Sequence, residues 1–333
     1  MANNIITSTL VKDLAFGFSK ENIFTKLANS DYIDNFGENA GGFISGQTIN
    51  VKQCGSPTVT TGLAVAAQDI VDRVLPVTIS DSDIYSVASE VGSLEEYTDL
   101  GGRERFWNDY GQEIVASLGA QVQKAAAQVM QKSAYLTPVD TVAKFNASSF
   151  STIDPVEDVV ALADYQRLSY QDRNMVTNSR DASSLRKSLS NSFNDITNSD
   201  IQRRARIGNL SGFDFYQTPT IPKHVAGTGA GTAGVTVTAL SADGLTLSLA
   251  GLAAAATLKA GDRISIPSVK LLNQIAKDES DYGLVVTVSA DAVASGAGAI
   301  DVVLSAPLLA TGPHRNVSAL PAAAASVEIY RRS

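Results

Sequence analysis

The sequence is poor in the residues that build most redox and metal sites. It has one cysteine, Cys54, and two histidines, His224 and His314, in 333 residues. A single cysteine cannot form an intramolecular disulfide, which is typical of a reducing compartment. Neither histidine has a cysteine or a second histidine near it to complete a metal site. We therefore interpret the histidines as surface or capping residues and expect no metal and no other cofactor.

Charge and aromatic side chains are also scarce. Charged residues make up 18% of the chain and aromatic residues 7%, whereas an average soluble domain has about 25% charged residues. The 26 basic and 34 acidic residues give a formal net charge of −8. No basic stripe is present that could neutralise a phosphate backbone, so dedicated nucleic-acid recognition is disfavoured. The hydrophobic content of 44% excludes wholesale disorder.

Long apolar runs are missing as well. No run approaches the ~20 residues that cross a bilayer, and Met1–Ile6 lacks the basic and apolar regions of a signal peptide. We expect a soluble protein, made in a cytoplasm-like compartment, that does not contact a membrane. Its length exceeds the ~250–300 residues at which a single core stops growing, which predicts more than one packed unit.

The motifs that resemble catalytic or binding signatures lack their structural context. Gly229–Gly234 matches the dinucleotide pattern Gly-x-Gly-x-x-Gly, but a Val-Thr-Val-Thr strand follows it where a helix is needed, so we interpret it as a flexible linker. No nucleophile elbow and no phosphate loop is present, and we predict no catalytic residue and no enzyme. We interpret the closely spaced carboxylates as solvated turns: Asp69/Asp72, Asp81/Asp83 and Asp278–Asp281.

Hydrophobic periodicity predicts a long helix over residues 103–136. One apolar stripe with steps of three or four comprises Trp107, Tyr110, Ile114, Leu118, Val122, Ala125 and Val129. Thr137-Pro138 ends it, because proline cannot continue the hydrogen-bond ladder. A second helix is predicted to begin at Asp154, with Pro155 at its first position and Glu157 completing a capping box.

Strands and helices alternate after that second helix. We predict a strand at 174–177, a helix around 182–189 and a strand at 212–216, so this part mixes α and β. After Ala226, phenylalanine and tryptophan vanish, and short alternating strands are predicted to form a small antiparallel barrel or sandwich. The apolar positions that predict them are Val235/Val237, Leu245/Leu247/Leu249, Ile264/Ile266, Val285/Val286/Val288, Ile300/Val302/Leu304 and Val327/Ile329.

The first hundred residues are predicted to form two extensions that lie outside the main packed part of the chain. Residues 1–42 predict an arm of two short amphipathic helices, which cannot bury their apolar faces alone. Residues 43–93 alternate as strands do and predict a long two-stranded excursion. Such a ribbon is marginal in water, so we expect it to lie on another surface.

Three segments resemble the coat proteins of short-tailed phages that carry an insertion domain, a family of tailed-phage major capsid proteins. They are Arg173–Asp181, Ile207–Tyr216 with its continuation to Ile221–His224, and Leu258–Ile266 with Val269; the stretch Asn316–Pro321 to Val327 is similar to the closing strands of that domain. The order of elements also agrees over most of the chain, although the first hundred residues match by layout more than by motif.

The resemblance implies an α+β chain with the tailed-phage and herpesvirus capsid fold, carrying an inserted small antiparallel β-barrel. It divides the chain into an N-terminal arm (1–42), an extended β-loop (43–93), a spine helix and peripheral domain (94–150), an axial domain (151–224) and an insertion β-barrel (225–333). In the family the chain returns from the insertion domain through a C-terminal segment, whereas this sequence stops at Ser333. The resemblance therefore implies either a truncated or processed chain or an axial core that is completed differently.

The function implied is that of a major capsid protein, which assembles with itself into the hexamers and pentamers of an icosahedral bacteriophage head around the genome. The implied partners are a scaffolding protein, a portal and a cement or decoration protein, with only weak contact to packaged DNA and a location in the virion. We expect Val59, Leu63 and Val65 of the extended loop to contact a neighbouring subunit. The acidic arm is a candidate docking site for a basic scaffold through Asp13, Glu21, Asp31 and Asp34. The alternative is a β-rich tail or adhesion protein that binds a receptor or glycan.

Overall fold

Helices and strands are mixed along the chain, as predicted, and the chain divides into two units. The computed structural model describes residues 22–28, 48–57, 72–78, 111–135, 154–171, 173–192 and 208–330, with Val59 and Tyr85. The first unit comprises Met1–Lys52, Val74–Gln128 and Thr220–Pro222, and the second comprises Gln53–Arg73, Val129–Pro219 and Lys223–Ser333.

The first unit wholly or mostly contains four described elements: helix α1 (Ile23–Leu27), strands β1 (Thr48–Gln53) and β2 (Arg73–Thr78), and helix α2 (Gln112–Lys132). The two strands pair with each other in a two-stranded sheet, as the alternation in this part of the sequence predicted. None of the helices in the described ranges is long and apolar enough to cross a membrane.

Helix α2 confirms the long-helix prediction but buries a different face from the predicted one. Its 21 residues bury Val115, Gly119, Gln123 and Ala127, which are spaced four apart. The predicted stripe lies one residue away: Ile114, Leu118 and Val122 are half-buried, and Val129 is 63% exposed. The sequence pattern missed the buried row because it contains a glycine and a glutamine. Gln123 is satisfied there, since the Thr220 hydroxyl donates to its Oε1 at 2.9 Å; Trp107 and Tyr110 lie outside the described residues.

The second unit begins with an α/β segment whose elements follow the predicted order: α3 (Asp154–Tyr165), β3 (Asn174–Asn178), α4 (Ser179–Ser192), β4 (Asn209–Leu210) and β5 (Phe213–Thr218). Helix α3 begins at Asp154, as predicted from the capping pattern. Strand β3 runs parallel to β5, and β4 pairs antiparallel with β5 across Ser211-Gly212. A small aliphatic core of Val156, Leu185 and Leu189 joins the two helices.

The remainder of the second unit is a sheet unit, which we define as residues 223–330. Its six main strands are β6 (Val235–Leu240), β7 (Thr246–Ala250), β9 (Arg263–Leu272), β10 (Glu279–Thr287), β12 (Ile300–Val303) and β13 (Ser326–Ile329), and its short pair is β8 (Thr257–Leu258) with β11 (Ala292–Val293). All six strands predicted from the alternating pattern are confirmed. Their order is β10-β9-β13-β6-β7-β12, with antiparallel neighbours throughout.

The six-stranded sheet curls until its two edge strands meet. Val288, after β10, forms an antiparallel bridge with Leu304, after β12. The Ser289 N–H donates to the Val303 carbonyl at 2.8 Å, and the Ser305 N–H to the Thr287 carbonyl at 2.9 Å. The bridge brings both ends of the strand order together, which explains how one sheet can enclose a core on a single face.

That core is aliphatic, as the shortage of aromatic residues requires. Members with zero exposure are Val235, Leu247, Leu258, Ile264, Ile266, Val288, Val302 and Val317. Each fully buried aliphatic side chain of this size contributes roughly 1.5–3 kcal/mol. Leu162 of α3 belongs to the same cluster, so the α/β segment, which has its own small core, contributes one residue to the core of the sheet unit.

The glycine-rich stretch 229–234 is not a flexible linker, and that prediction is wrong. The N–H of Gly229 donates to the Thr257 carbonyl at 3.0 Å, and the N–H of Gly231 to the Ile329 carbonyl at 2.8 Å. A Cβ on Gly229 would lie 3.1 Å from the Leu252 side chain. Glycine is used here because the backbone passes close to the sheet unit, and strand β6 follows it directly, as expected.

Substitutions at two glycines near β12, Gly296 and Gly298, can test how tightly the sheet unit is packed. Gly298 has a φ of +77°, and a Cβ there would lie 2.1 Å from the Leu252 carbonyl oxygen, whereas nothing lies within 4 Å of one on Gly296. Left-handed backbone costs a non-glycine residue roughly 1–2 kcal/mol, and the clash adds to this. We expect Gly298→Ala to lower the free energy of unfolding, measured by urea denaturation, by more than about 2 kcal/mol. Gly296→Ala is the matched control and should stay within about 0.5 kcal/mol of the parent; equal effects would contradict the described turn.

Candidate functional site

The two-stranded ribbon of β1 and β2 has two chemically different faces. The hydroxyls of Thr48 and Thr78 are hydrogen-bonded at 2.7 Å, so both side chains lie on the same face. Because side chains alternate along a strand, the opposite face carries the odd-numbered residues of both strands. Four of these six residues are the aliphatic Ile49, Val51, Leu75 and Val77, which we call the apolar ribbon face; the other two, Gln53 and Arg73, lie at the ends of the strands.

The apolar ribbon face is partly open to water. Leu75 is 39% and Val77 47% exposed, and Ile49 and Val51 are half-buried. A two-stranded hairpin is marginally stable in water unless a further surface covers its apolar side. The ribbon would therefore be stabilised if another surface covered its apolar face.

The structure describes one of the predicted intersubunit residues. Val59 is 91% exposed, whereas Leu63 and Val65 lie outside the described residues. The candidate scaffold-docking residues Asp13, Glu21, Asp31 and Asp34 also lie outside them. The contacts predicted for all seven residues remain predictions.

A buried histidine–carboxylate pair fixes the start of the sheet unit. His224 Nε2 lies 2.7 Å from Asp262 Oδ1, and the two side chains are 8% and 0% exposed. The other carboxylate oxygen accepts the N–H groups of Lys259 at 2.8 Å and Gly227 at 3.1 Å. The interpretation of His224 as a surface or capping residue is therefore wrong, because its ring is enclosed as the partner of a buried acid.

The adjacent residue, Arg263, joins the sheet unit to the last turn of α2. Its Nη1 donates to the Gln131 carbonyl at 3.1 Å and to the Thr287 hydroxyl at 2.5 Å. The hydroxyls of Thr287 and Ser305 both donate to the Ala134 carbonyl, at 2.8 and 3.2 Å. Burial lowers the pKa of Arg263 to about 10, although the neighbouring Asp262 acts in the opposite direction. The guanidinium thus stays charged at neutral pH while it donates to one main-chain carbonyl and one hydroxyl in a buried place.

Helix α3 is tied to the loop between β9 and β10. The Tyr165 hydroxyl donates to the Asp278 carbonyl at 2.7 Å, and the Gln166 side chain donates to the Leu272 carbonyl at 3.1 Å. Asn273 Nδ2 donates to the Tyr165 carbonyl. These bonds link residues more than a hundred positions apart, so they hold the α/β segment and the sheet unit together.

The loop after α3 is organised by Arg173, the first residue of one motif quoted above. Its Nη1 contacts Asp164 Oδ1 at 2.7 Å, and its Nε and Nη2 donate to the carbonyls of Ser169 and Leu168 at 2.9 and 2.6 Å. The guanidinium also lies 4.3 Å from the ring centroid of Tyr170. Arg173 therefore acts as a structural clamp between α3 and β3.

Within the described ranges, buried polar groups join segments and do not gather into a reaction centre. No group of three histidine, cysteine, aspartate or glutamate residues there could hold a metal ion. Asp72, Asp278, Glu279 and Asp281 are exposed, as expected of solvated carboxylates. The predicted turn at Asp278–Asp281 is wrong, however, because Glu279 and Asp281 lie in strand β10 with the buried Ser280 between them; Asp69, Asp81 and Asp83 lie outside the described residues.

Comparison with known proteins gives distant structural likenesses only. No family model matches the chain, and no curated protein matches it. It is similar to a solved structure from Mycobacterium phage Che8, with 16% identity, a TM-score of 0.39, and coverage of 93% of this chain and 90% of that one. It is also similar to the capsid structure of the cyanophage P-SCSP1u, with 10% identity, a TM-score of 0.35, and coverage of 91% and 92%.

A third solved structure, the CUS-3 coat protein I-domain, matches at 23% identity with a TM-score of 0.23. The match covers 30% of this chain and 98% of that one. All three neighbours come from phages, and two of them are a coat protein domain and a capsid structure; identities and TM-scores at this level do not establish a family.

Both segments of the histidine–carboxylate pair lie in motifs quoted above, but the sequence pattern does not pair them. Ile221–His224 ends one of the quoted motifs, and Gly261-Asp262-Arg263 stands inside another. The available signal was an acid and an arginine placed directly before a β-branched strand. Such charges are rarely buried unless they are paired, and His224 was one of only two histidines that could serve the acid.

Removing the histidine should destabilise the sheet unit. In His224→Ala the buried Asp262 carboxylate keeps its two N–H donors but loses its side-chain partner. Breaking a buried pair from one side costs about 3–5 kcal/mol. We expect a loss of this order in urea denaturation of the full chain. Lys223→Ala changes the exposed preceding residue and should be nearly neutral, so similar losses in both variants would show that the pair has no special role.

Proposed function

We propose that this chain is the shell-forming coat protein of a tailed bacteriophage, of the short-tailed type with an insertion domain, and that it has no enzymatic role. It assembles with itself into hexamers and pentamers of an icosahedral head that encloses the genome. The observation that carries the proposal is the apolar ribbon face, because aliphatic side chains aligned on one side of a thin ribbon are stabilised when another copy covers them.

Covering the apolar ribbon face with another copy is energetically favourable. Burying apolar surface contributes roughly 25 cal/mol per Å², and Leu75 and Val77 still have about two-fifths and one-half of their surface to lose. Obligate assemblies bury about 2,000–5,000 Å² per interface. A ribbon that crosses a neighbour supplies such an area without a large core of its own, and Val59, Leu63 and Val65 extend the contact surface along the same excursion.

The quoted motifs support the division of the chain into family domains. In this proposal residues 1–42 form the arm, 43–93 the extended loop, 94–150 the spine helix and peripheral domain, 151–224 the axial domain, and 225–333 the insertion barrel. Helix α2 is the spine, and the β3–α4–β5 segment belongs to the axial domain. The sheet unit, which shares its core with Leu162 of α3, stabilises the subunit as the insertion domain.

The remaining partners follow from the same proposal. A basic scaffolding protein docks on Asp13, Glu21, Asp31 and Asp34 of the arm, a portal occupies one vertex, and a cement protein can decorate the outside. Packaged DNA is held weakly, since the net charge of −8 makes the wall of the container repel phosphate. The mature location is the virion, after synthesis in the host cytoplasm.

A charge on the apolar ribbon face should block assembly but not folding. In Val77→Asp the new carboxylate would have to be desolvated wherever a neighbour covers the ribbon, at a cost of several kcal/mol. We expect a chain with unchanged circular dichroism that forms at most about a tenth of the parent's closed shells in electron micrographs, the remainder eluting as monomer in size-exclusion chromatography.

Asn50→Asp is the matched control, since it adds the same charge to the other face of the ribbon and should leave shells intact. Normal shells from Val77→Asp would refute this use of the ribbon. Discrete trimers or tubes from the parent chain would instead favour the tail or adhesion alternative.

Scaffold docking on the acidic arm should depend on salt. The Debye length falls from ~30 Å at 0.01 M to ~8 Å at 0.15 M ionic strength, so scaffold-driven assembly, followed by light scattering, should slow by roughly tenfold across that range. The quadruple variant Asp13→Asn, Glu21→Gln, Asp31→Asn, Asp34→Asn should be slow at both salt concentrations. Salt-independent assembly of the parent would show that docking is not electrostatic.

A further inference from the structure

Two cationic side chains of the sheet unit are held together by an interlocking pair of loops. Lys277 Nζ donates to the carbonyls of Pro313 and Arg315, at 2.8 and 3.3 Å. Arg315 Nη2 donates in return to the Lys277 carbonyl at 2.9 Å. Each cation therefore binds the backbone of the other's loop, and we call this arrangement the Lys277–Arg315 corner.

The turn that carries Lys277 is fixed from its other side. Asn273 Oδ1 accepts the N–H groups of Ile275 and Ala276, at 2.8 and 2.9 Å, and the Lys277 N–H donates to the Asn273 carbonyl at 2.9 Å. Lys277 itself has a φ of +61°, a conformation uncommon for a lysine. The turn thus directs the Lys277 side chain inward, so its burial follows from the backbone conformation.

The charge of the corner is not compensated by the groups it contacts. The recorded hydrogen-bond partners of both side chains are main-chain carbonyls, and neither is paired with a carboxylate among the described residues. Lys277 is 6% exposed, and Arg315 Nε is buried without a hydrogen-bond partner. Burial first, and the charge of Arg315 second, lower the pKa of Lys277. Two neighbouring positive charges with unused donors are the arrangement that a negatively charged group stabilises.

We propose that the Lys277–Arg315 corner binds an oxyanion, a phosphate or carboxylate group. A guanidinium presents five N–H donors in a planar fork that matches such groups, and an ammonium presents three. One N–H of Arg315 and two of Lys277 donate to carbonyls. Each side chain therefore keeps at least one N–H donor that could bind an anion. Arg315 is half-buried, and the adjoining Thr311 and Gly312 are exposed, so the anion approaches from this side.

The anion can come from solution or from an acidic side chain of a second copy, and the two sources share one chemistry. The surplus of 34 acidic over 26 basic residues means that every copy carries carboxylates to offer. The site does not depend on the proposed function, because a free anion would occupy it in a single chain.

The test is a calorimetric titration of the full chain, kept dilute and dissociated, with inorganic phosphate and separately with acetate at constant ionic strength. We expect saturable phosphate binding that weakens at least about tenfold in Arg315→Gln, since a charge-assisted bond contributes more than a neutral one. Lys259→Gln is the matched control, because it removes a positive charge from an exposed position of the same unit and should bind like the parent.

Arg315→Gln could disturb the loop, so Lys277→Met provides a second variant that keeps the apolar stem. Circular dichroism checks the fold of each variant. Self-association that phosphate suppresses, and that Arg315→Gln abolishes, would assign the anion to a second copy. Absence of binding by the parent at millimolar phosphate together with unsuppressed self-association, or equal binding by the parent and both folded variants, would overturn the proposal while leaving the coat-protein assignment untouched.

Discussion

Two adjacent buried charges hold the second unit together. Asp262 and Arg263 stand side by side at the start of β9, yet they bind in different directions: the carboxylate binds His224 and two backbone N–H groups, and the guanidinium binds the last turn of α2. Water cannot solvate either charge well, because Asp262 and Arg263 are only 1% and 8% exposed. Two consecutive residues therefore determine where two distant segments meet the sheet.

The hydrophobic core makes such anchors necessary. With few aromatic residues, the core consists of leucine, isoleucine, valine and alanine, whose smaller side chains bring backbones close together. Glycines at the points of closest approach, such as Gly227, where a Cβ would lie 2.1 Å from the Thr257 carbonyl oxygen, allow this spacing. Aliphatic packing is not directional, so the hydrogen bonds of Asp262, Arg263 and Asn273 supply the register that the core alone would leave open.

Local pattern was sufficient to predict the elements of this protein but not the contacts between them. The six strands after residue 226 and the start of α3 at Asp154 were predictable, because alternation and capping are properties of neighbouring residues. The buried row of α2 was not, since Gly119 and Gln123 carry no hydrophobic signal and the more apolar Ile114 row lies beside them. The burial of Asp262 and Arg263 left a weak signal in the sequence, but the pairing with His224 left none in the local pattern, because the two partners are 38 positions apart. The apolar ribbon face needed one observed contact, between Thr48 and Thr78, to establish which side chains share a side.

The closure of the curled sheet at Val288 and Leu304 affects the behaviour of the chain at high concentration. An open sheet presents unpaired N–H and C=O groups along its outer strands, and these can recruit a strand from another molecule. Here the hydrogen bonds around Val288 and Leu304 pair some of the N–H and C=O groups at the two edges of the sheet with each other. Crowded copies thus have less opportunity to join through these strands into disordered aggregates, and ordered contacts elsewhere on the surface face less competition.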